Sequence, residues 1–157
     1  MTGDLKHCFP NAYKQIQSIA YYMILENDSP LFRFEKWSIL HNHPYDKNIT
    51  SQRSSELFAD ISEEQKNKFF TLQQGRQSEE EYWAYDTTSL SSYSQTLRQA
   101  QYDGKLFVGF VALIYLAYIK KRMHETGMFQ KYTLQTLLDK LDVIECFENP
   151  GYTLRIV

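Results

Sequence analysis

Trp83-Ala84-Tyr85-Asp86-Thr87-Thr88-Ser89-Leu90-Ser91-Ser92-Tyr93 is the stretch on which a reading of the fold turns. The aromatic run from Tyr82 to Tyr85 reads as a strand, and it delivers one aspartate into a hydroxyl-rich turn. A buried strand presents a metal-binding carboxylate in this way. Hard divalent ions such as magnesium take carboxylate oxygens and keep several waters. Two such ions can activate a water and stabilise the leaving oxygen in phosphodiester cleavage. Each role needs several converging carboxylates. Soon afterwards the chain enters a new apolar segment, Leu106 to Ile119, which leaves little sequence for partners of Asp86. An Asp-Thr pair can equally close a turn, its carboxylate capping nearby amides, and on the residues alone that structural reading is preferred.

The chain has 157 residues, enough for one domain or two small ones. Aromatic residues make up 15%, which argues against disorder. The formal charge of -2 does not announce a nucleic-acid binder, so any DNA contact needs a local basic patch. Cys8 and Cys146 lie far apart without metal-ligand spacing and read as free thiols of a reducing cytoplasm. No secretory signal is visible. Leu106 to Ile119, followed by Lys120-Lys121-Arg122, superficially resembles a membrane stop. A spanning helix needs about 20 apolar residues, so a buried core helix is expected and no membrane span.

Outward from the aspartate, the chain reads mostly helical. Phe9-Pro10 is expected to open a helix, with Tyr13, Ile16, Ile19, Ala20, Met23 and Ile24 at helical spacing. Asn27-Asp28-Ser29-Pro30 ends it. Leu31 to Phe34 is a short extended or helical piece leading to Trp37. His41 to Tyr45 is a loop, because the residue before Pro44 is pushed out of the helical region. Ile49 to Ala59 is helical with Thr50 or Ser51 as cap, and Ser62-Glu63-Glu64-Gln65 is a capping box. Gly75 breaks that helix. Asp103-Gly104 marks a boundary, and a helix from Lys105 to about His124 is apolar on nearly all sides, so burial on nearly all sides is expected. Such a helix most naturally packs on a sheet. Thr133 caps a last helix bearing Leu134, Leu137, Leu138 and Leu141. Val143 to Phe147 and Tyr152 to Ile156, around Asn149-Pro150-Gly151, give a hairpin signal.

Other reactive side chains carry less. Ser89, Ser91, Ser92 and Ser94 have no glycine elbow and no nearby histidine. His41 and His43 are a poor zinc pair without further ligands and read as surface histidines. Lys120, Lys121 and Arg122 could touch phosphate, but they suit the C-terminal end of a helix.

Tyr82 to Ser94 resembles the first catalytic block of bacterial insertion-sequence transposases of the DDE type, in the insertion-sequence-four superfamily. Phe34-Glu35-Lys36-Trp37, His43-Pro44-Tyr45 and Ser51-Gln52-Arg53-Ser54-Ser55-Glu56-Leu57-Phe58 are similar to the N-terminal part of the same proteins. Gly104-Lys105-Leu106-Phe107-Val108-Gly109-Phe110-Val111-Ala112-Leu113-Ile114 looks like the helix that follows their catalytic glutamate. The resemblance covers nearly the whole chain in two blocks, and the aspartate block is the more specific.

The resemblance implies a ribonuclease-H-like core in which three acidic residues hold magnesium, with Asp86 as catalytic residue and metal ligand. The second aspartate and the glutamate of the family have no match. The Tyr-x2-Arg of the glutamate motif occurs only at Tyr152 to Arg155, with no glutamate after it. The implied chain is therefore a transposase-derived protein, internally deleted and C-terminally shortened, without strand transfer. Its fold class is an α-rich α+β arrangement. Residues 1–80 form a helical part with possible DNA contact through Lys36, Arg53, Lys66 and Lys68. Residues 81–157 hold the first strand and the late buried helix of the catalytic core, then a C-terminal helix and β-hairpin. The expected partners are DNA and, through the apolar helix, full-length transposase or a second copy. The alternatives are a truncated regulator of transposase or of element ends, and a small membrane-associated helical protein.

Overall fold

The computed structural model describes residues 1–26, 29–75 and 99–142, and its regular structure there is entirely helical. The expectation of an α+β fold with a ribonuclease-H-like remnant is corrected by this finding: no strand occurs among the described residues. The apolar helix expected to need a sheet is instead covered by other helices. The strand at Tyr82 to Tyr85 and the hairpin after Val143 lie outside the described residues, as does Asp86. The chain divides into two compact units, Met1–Tyr118 and Ile119–Val157.

The first unit opens with α1, Thr2–Cys8, which the sequence reading did not anticipate. Its helicity comes from tertiary burial, because Leu5 and Cys8 are enclosed and no side chain caps it. Phe9 and Pro10 do not open the next helix. They form a turn in which the Ala12 and Tyr13 amides donate to the Phe9 carbonyl at 3.0 and 2.8 Å. Helix α2, Tyr13–Leu25, starts only after that turn. A 3-10 turn, Leu31–Arg33, leads into α3, Phe34–Leu40.

Helix α4, Ser51–Asp60, is capped by Thr50, whose Oγ1 accepts from the Arg53 amide at 3.2 Å. Helix α5, Glu63–Gln74, begins with the expected capping box. Ser62 Oγ accepts from the Gln65 amide at 3.3 Å, and Gln65 Oε1 accepts from the Ser62 amide at 3.2 Å. A buried hydrogen bond from Gln73 Nε2 to Asp4 Oδ2, 2.9 Å, ties α5 to α1.

Helix α6 is described over Gln99–Glu125, so Asp103 and Gly104 lie inside a helix rather than at its start. Within the first unit its burial is one-sided. Phe107, Val108, Val111 and Ile114 are enclosed, whereas Leu106 and Leu113 keep 36% and 42% of their surface. The buried side meets rings from two helices, α2 and α5, and from the turn. Phe107 lies 5.1 Å from Phe9, 5.6 Å from Phe69 and 5.7 Å from Phe70, and Tyr115 lies 5.3 Å from Tyr21. Gln17 Nε2 donates to Tyr115 Oη at 2.6 Å. Tilted and edge-on ring pairs of this kind stabilise beyond their area.

One helix crossing in the unit brings backbone close to backbone. Gly104 sits against α4, and a Cβ there would overlap the Phe58 carbonyl, 2.6 Å from its carbon and 2.7 Å from Cα. Glycine is required at this point because any side chain would separate the two helices.

In the second unit, Met123 and Leu138 are buried. Helix α7, Leu134–Asp142, is capped as expected, Thr133 Oγ1 accepting from the Thr136 amide at 3.2 Å.

Candidate functional site

Thr50 caps the start of α4, and the capping box of Ser62 fixes the start of α5 directly after the short link at Ile61 and Ser62. The turn at Phe9 to Ala12 lies against this link and leaves a groove of about 260 Å³. Arg53, Leu57, Asp60 and Ile61 line one side. Positions 53, 57 and 60 recur at i, i+4 and i+7, so they share one face of α4. Seven residues of helix separate Arg53 from Asp60, about 10 Å along the axis. A cation and an anion therefore stand at the two ends of an apolar wall made by Leu57 and Ile61.

Phe9 and Gln15 also line the groove. Gln15 belongs to α2 and shares a face with Ile19 and Tyr22, both fully enclosed. Its own exposure is 5%, yet its carboxamide has no hydrogen-bond partner among the described residues. Gln15 lines the groove, and the buried side-chain polar atom left without a partner among the described residues is Trp37 Nε1. At the rim, Arg53 is 58% exposed and holds Glu56 through Nη1 at 3.3 Å. Asp60 has no ion pair among the described residues.

A second polar site, also anchored on α2, is fully closed. Ser18 Oγ donates to the Lys14 carbonyl at 2.8 Å and accepts from the Tyr45 amide at 3.0 Å. His43 Nδ1 lies 3.0 Å from the same oxygen. The hydroxyl proton is already committed to Lys14, so His43 donates through Nδ1–H. Its ring completes an aromatic cluster, 5.4 Å from Phe34 and 5.7 Å from Trp37, which in turn pack on Tyr22. Burial holds the imidazole below its ordinary pKa; the nearby Asp46 carboxylate opposes this and His41 adds to it. His41 stacks on Trp37 at 4.7 Å and 10°, its Nδ1 2.7 Å from the Trp37 carbonyl. The expectation that both are surface histidines fails for His43, whose ring fills the core beside Trp37.

The four basic residues expected at DNA fall on three successive helices. Lys36 on α3 and Lys68 on α5 are exposed, as is Arg53 on α4. Lys66 is buried and paired with Glu63, which leaves it poorly placed to meet a phosphate. Lys68 also acts on Cys8, a buried free thiol. Burial pushes that thiol above its ordinary pKa, Lys68 lowering it and Asp4 adding to the rise. Among the described residues no three His, Cys, Asp or Glu side chains come together as a metal site. They offer magnesium no ligand set, and Asp86 lies outside them.

Comparison with known proteins finds no matching family model, no matching curated protein and no matching solved structure.

Neither Gln15 nor Asp60 was singled out by sequence reasoning. A signal for Gln15 was present: one amide interrupts the stripe that continues through Ile19 and Tyr22. Asp60 offered none, because an acid at the end of an amphipathic helix reads as solvated surface.

Proposed function

We propose that this chain is a transposase-derived helical protein that contacts the DNA backbone and does not itself cut or join strands. The supporting observation is the fit between Gly104 and Phe58. These residues belong to two separately placed segments, Ser51 to Phe58 and Gly104 to Ile114, both of which resemble parts of the same transposases. Segments of common origin are expected to retain such a contact. Only Asp86 matches a family carboxylate, and a single carboxylate cannot hold the divalent ions of phosphodiester cleavage.

Lys36, Arg53 and Lys68 carry the expected DNA contact, through phosphates and without sequence readout. Three phosphate contacts give a salt slope of about -2.7, hence a roughly 40-fold loss of affinity between about 50 and 200 mM salt. Fluorescence anisotropy with a labelled duplex measures this, and Lys36→Ala with Lys68→Ala should flatten the slope by about 2. Absence of any binding at low salt, or tight binding to one sequence that ignores salt, would overturn the reading.

A second reading draws on Leu106 and Leu113, which α6 leaves exposed beside its buried stripe. It is association with a longer transposase or with a second copy through that face. Light scattering after gel filtration separates the two readings. Helix α6 is also long and apolar enough to cross a membrane by length and composition, but its enclosed stripe suits a soluble core helix.

A further inference from the structure

We infer that α6 pairs antiparallel with α6 of a second copy of this chain. The inference rests on the second reading above, in which this face of α6 associates, and it fixes the partner and the register. Asp103, Leu106, Phe110, Leu113, Ala117 and Lys120 follow one another along α6 at alternating steps of three and four residues. That is the spacing of the seam between two paired helices. Leu106, Leu113 and Lys120 are exposed, and Asp103, Phe110 and Ala117 are half-buried. Gly104, Val108 and Val111 are enclosed and fall on the opposite side of the helix. At the centre of the seam, Phe110 is held edge-on against Phe70 at 5.1 Å, which orders the ring before any partner arrives.

The ends of the seam decide what covers it. An acid begins it, a base closes it, and the residues between are apolar. Two copies related by a twofold axis between Val111 and Ala112 set each Asp103 opposite the second copy's Lys120. The same axis sets Leu106 opposite Ala117 and Phe110 opposite Leu113, and each of these pairs occurs twice. A parallel arrangement would instead set Asp103 against Asp103 and Lys120 against Lys120, which like-charge repulsion disfavours. Both charged side chains are placed to pair. Lys120 is exposed and takes part in no ion pair among the described residues. Asp103 accepts from Gln99 Nε2 at 2.8 Å, an exposed contact one turn away on the same helix. A bilayer fits this face less well. Asp103 and Lys120 stand 17 positions apart, about 25 Å along the axis, which is shorter than the roughly 30 Å of a hydrocarbon core.

The test applies sedimentation equilibrium to the full chain, together with a zero-length carbodiimide cross-link read by peptide mass spectrometry. The expected result is a concentration-dependent dimer in which Asp103 is joined to Lys120. Within one chain these residues lie about 25 Å apart on one helix, so that link forms only between copies. Leu113→Lys places a cation in the middle of the seam at an exposed position, and should raise the dimer dissociation constant by at least about tenfold. Asp103→Lys and Lys120→Asp should each weaken the dimer by about tenfold, because each sets like charges opposite one another. The double variant carrying both reversals should regain the parent's affinity. That recovery separates lost pairing from lost folding. A dimer that forms without the Asp103–Lys120 link, or a double variant no tighter than the single ones, would overturn this pairing while leaving association through the face intact. A chain that stays monomeric at about 1 mM would overturn both. A monomer that partitions into phosphatidylcholine vesicles would assign the face to lipid, and would overturn the proposal as well.

Discussion

Helix α4 has one edge that is closed and one that is open. On the closed edge the Phe58 carbonyl touches Gly104 of α6, and nothing larger than hydrogen fits between the backbones. On the open edge Leu57 lines a groove of about 260 Å³ that it shares with Gln15 of α2. Both edges are built from adjacent residues under the same helical constraints. The difference teaches where this unit places its stability and where it keeps room for a ligand. A contact completed within the chain holds the fold together.

The largest effect should separate the two edges directly. Phe58→Ala removes an enclosed core ring from α4 and should destabilise by about 3–5 kcal/mol. Leu57→Ala removes a side chain that borders the groove, where water can occupy the space left behind, and should fall near the low end of its class, about 2 kcal/mol. Urea unfolding of both variants gives the difference. Equal losses would mean that the groove edge is packed as tightly as the Gly104 edge.

Gly104→Ala sharpens the closed side further. In an open helix the substitution would stabilise by about 1 kcal/mol, because alanine is the better helix former. Here the new Cβ meets backbone, which cannot rotate away, and overpacking of this kind costs about 1–3 kcal/mol or more. The clash should win, giving a net loss of about 2 kcal/mol in the same unfolding measurement. A stabilised variant would show that α4 and α6 do not approach as closely as Gly104 and Phe58 place them.

What the sequence made legible follows the same division. Thr50, the Ser62–Gln65 box, Gly75 and Thr133 were readable because caps and breaks obey rules that operate within four residues. The same local rules misread Gly104 as a boundary. Its missing Cβ serves a neighbour 46 positions earlier in the chain, and no local pattern records that. Pro10 was misread for a related reason: it suits a first helical turn, but the turn at Phe9 buries the phenylalanine ring against Phe107 and delays α2 to Tyr13. Helix α1 was missed because it is short, lacks a side-chain cap and depends on Leu5 and Cys8 being enclosed. The near-uniform apolarity of α6 hid which side is buried, and so suggested a sheet where helices supply the cover. The groove was the least legible, since it depends on α2 and α4 facing one another.

The smallest expected effect concerns the closed polar site, the counterpart of the open one on α2. Gln15 has no hydrogen-bond partner among the described residues, whereas Ser18 three residues on is saturated by Lys14, Tyr45 and His43. That saturation should make the fold pH-sensitive. Burial keeps His43 neutral by lowering its pKa from the usual 6.5, against the Asp46 carboxylate and with help from His41. In the unfolded chain the imidazole titrates near its ordinary value, so between that value and the lower folded one the unfolded state binds more protons. Stability is then greatest above about pH 6.5 and falls as the pH drops through that value towards the folded pKa, below which this contribution changes no further. His43→Asn keeps a donor for Ser18 but cannot titrate. Thermal midpoints measured from pH 7.5 to 5 should therefore fall less steeply in the variant than in the parent, while Gln15→Met should leave the parent's slope unchanged. Parallel curves for parent and His43→Asn would show that the imidazole is as accessible to protons in the fold as outside it, and that the α2 site is as open at Ser18 as it is at Gln15.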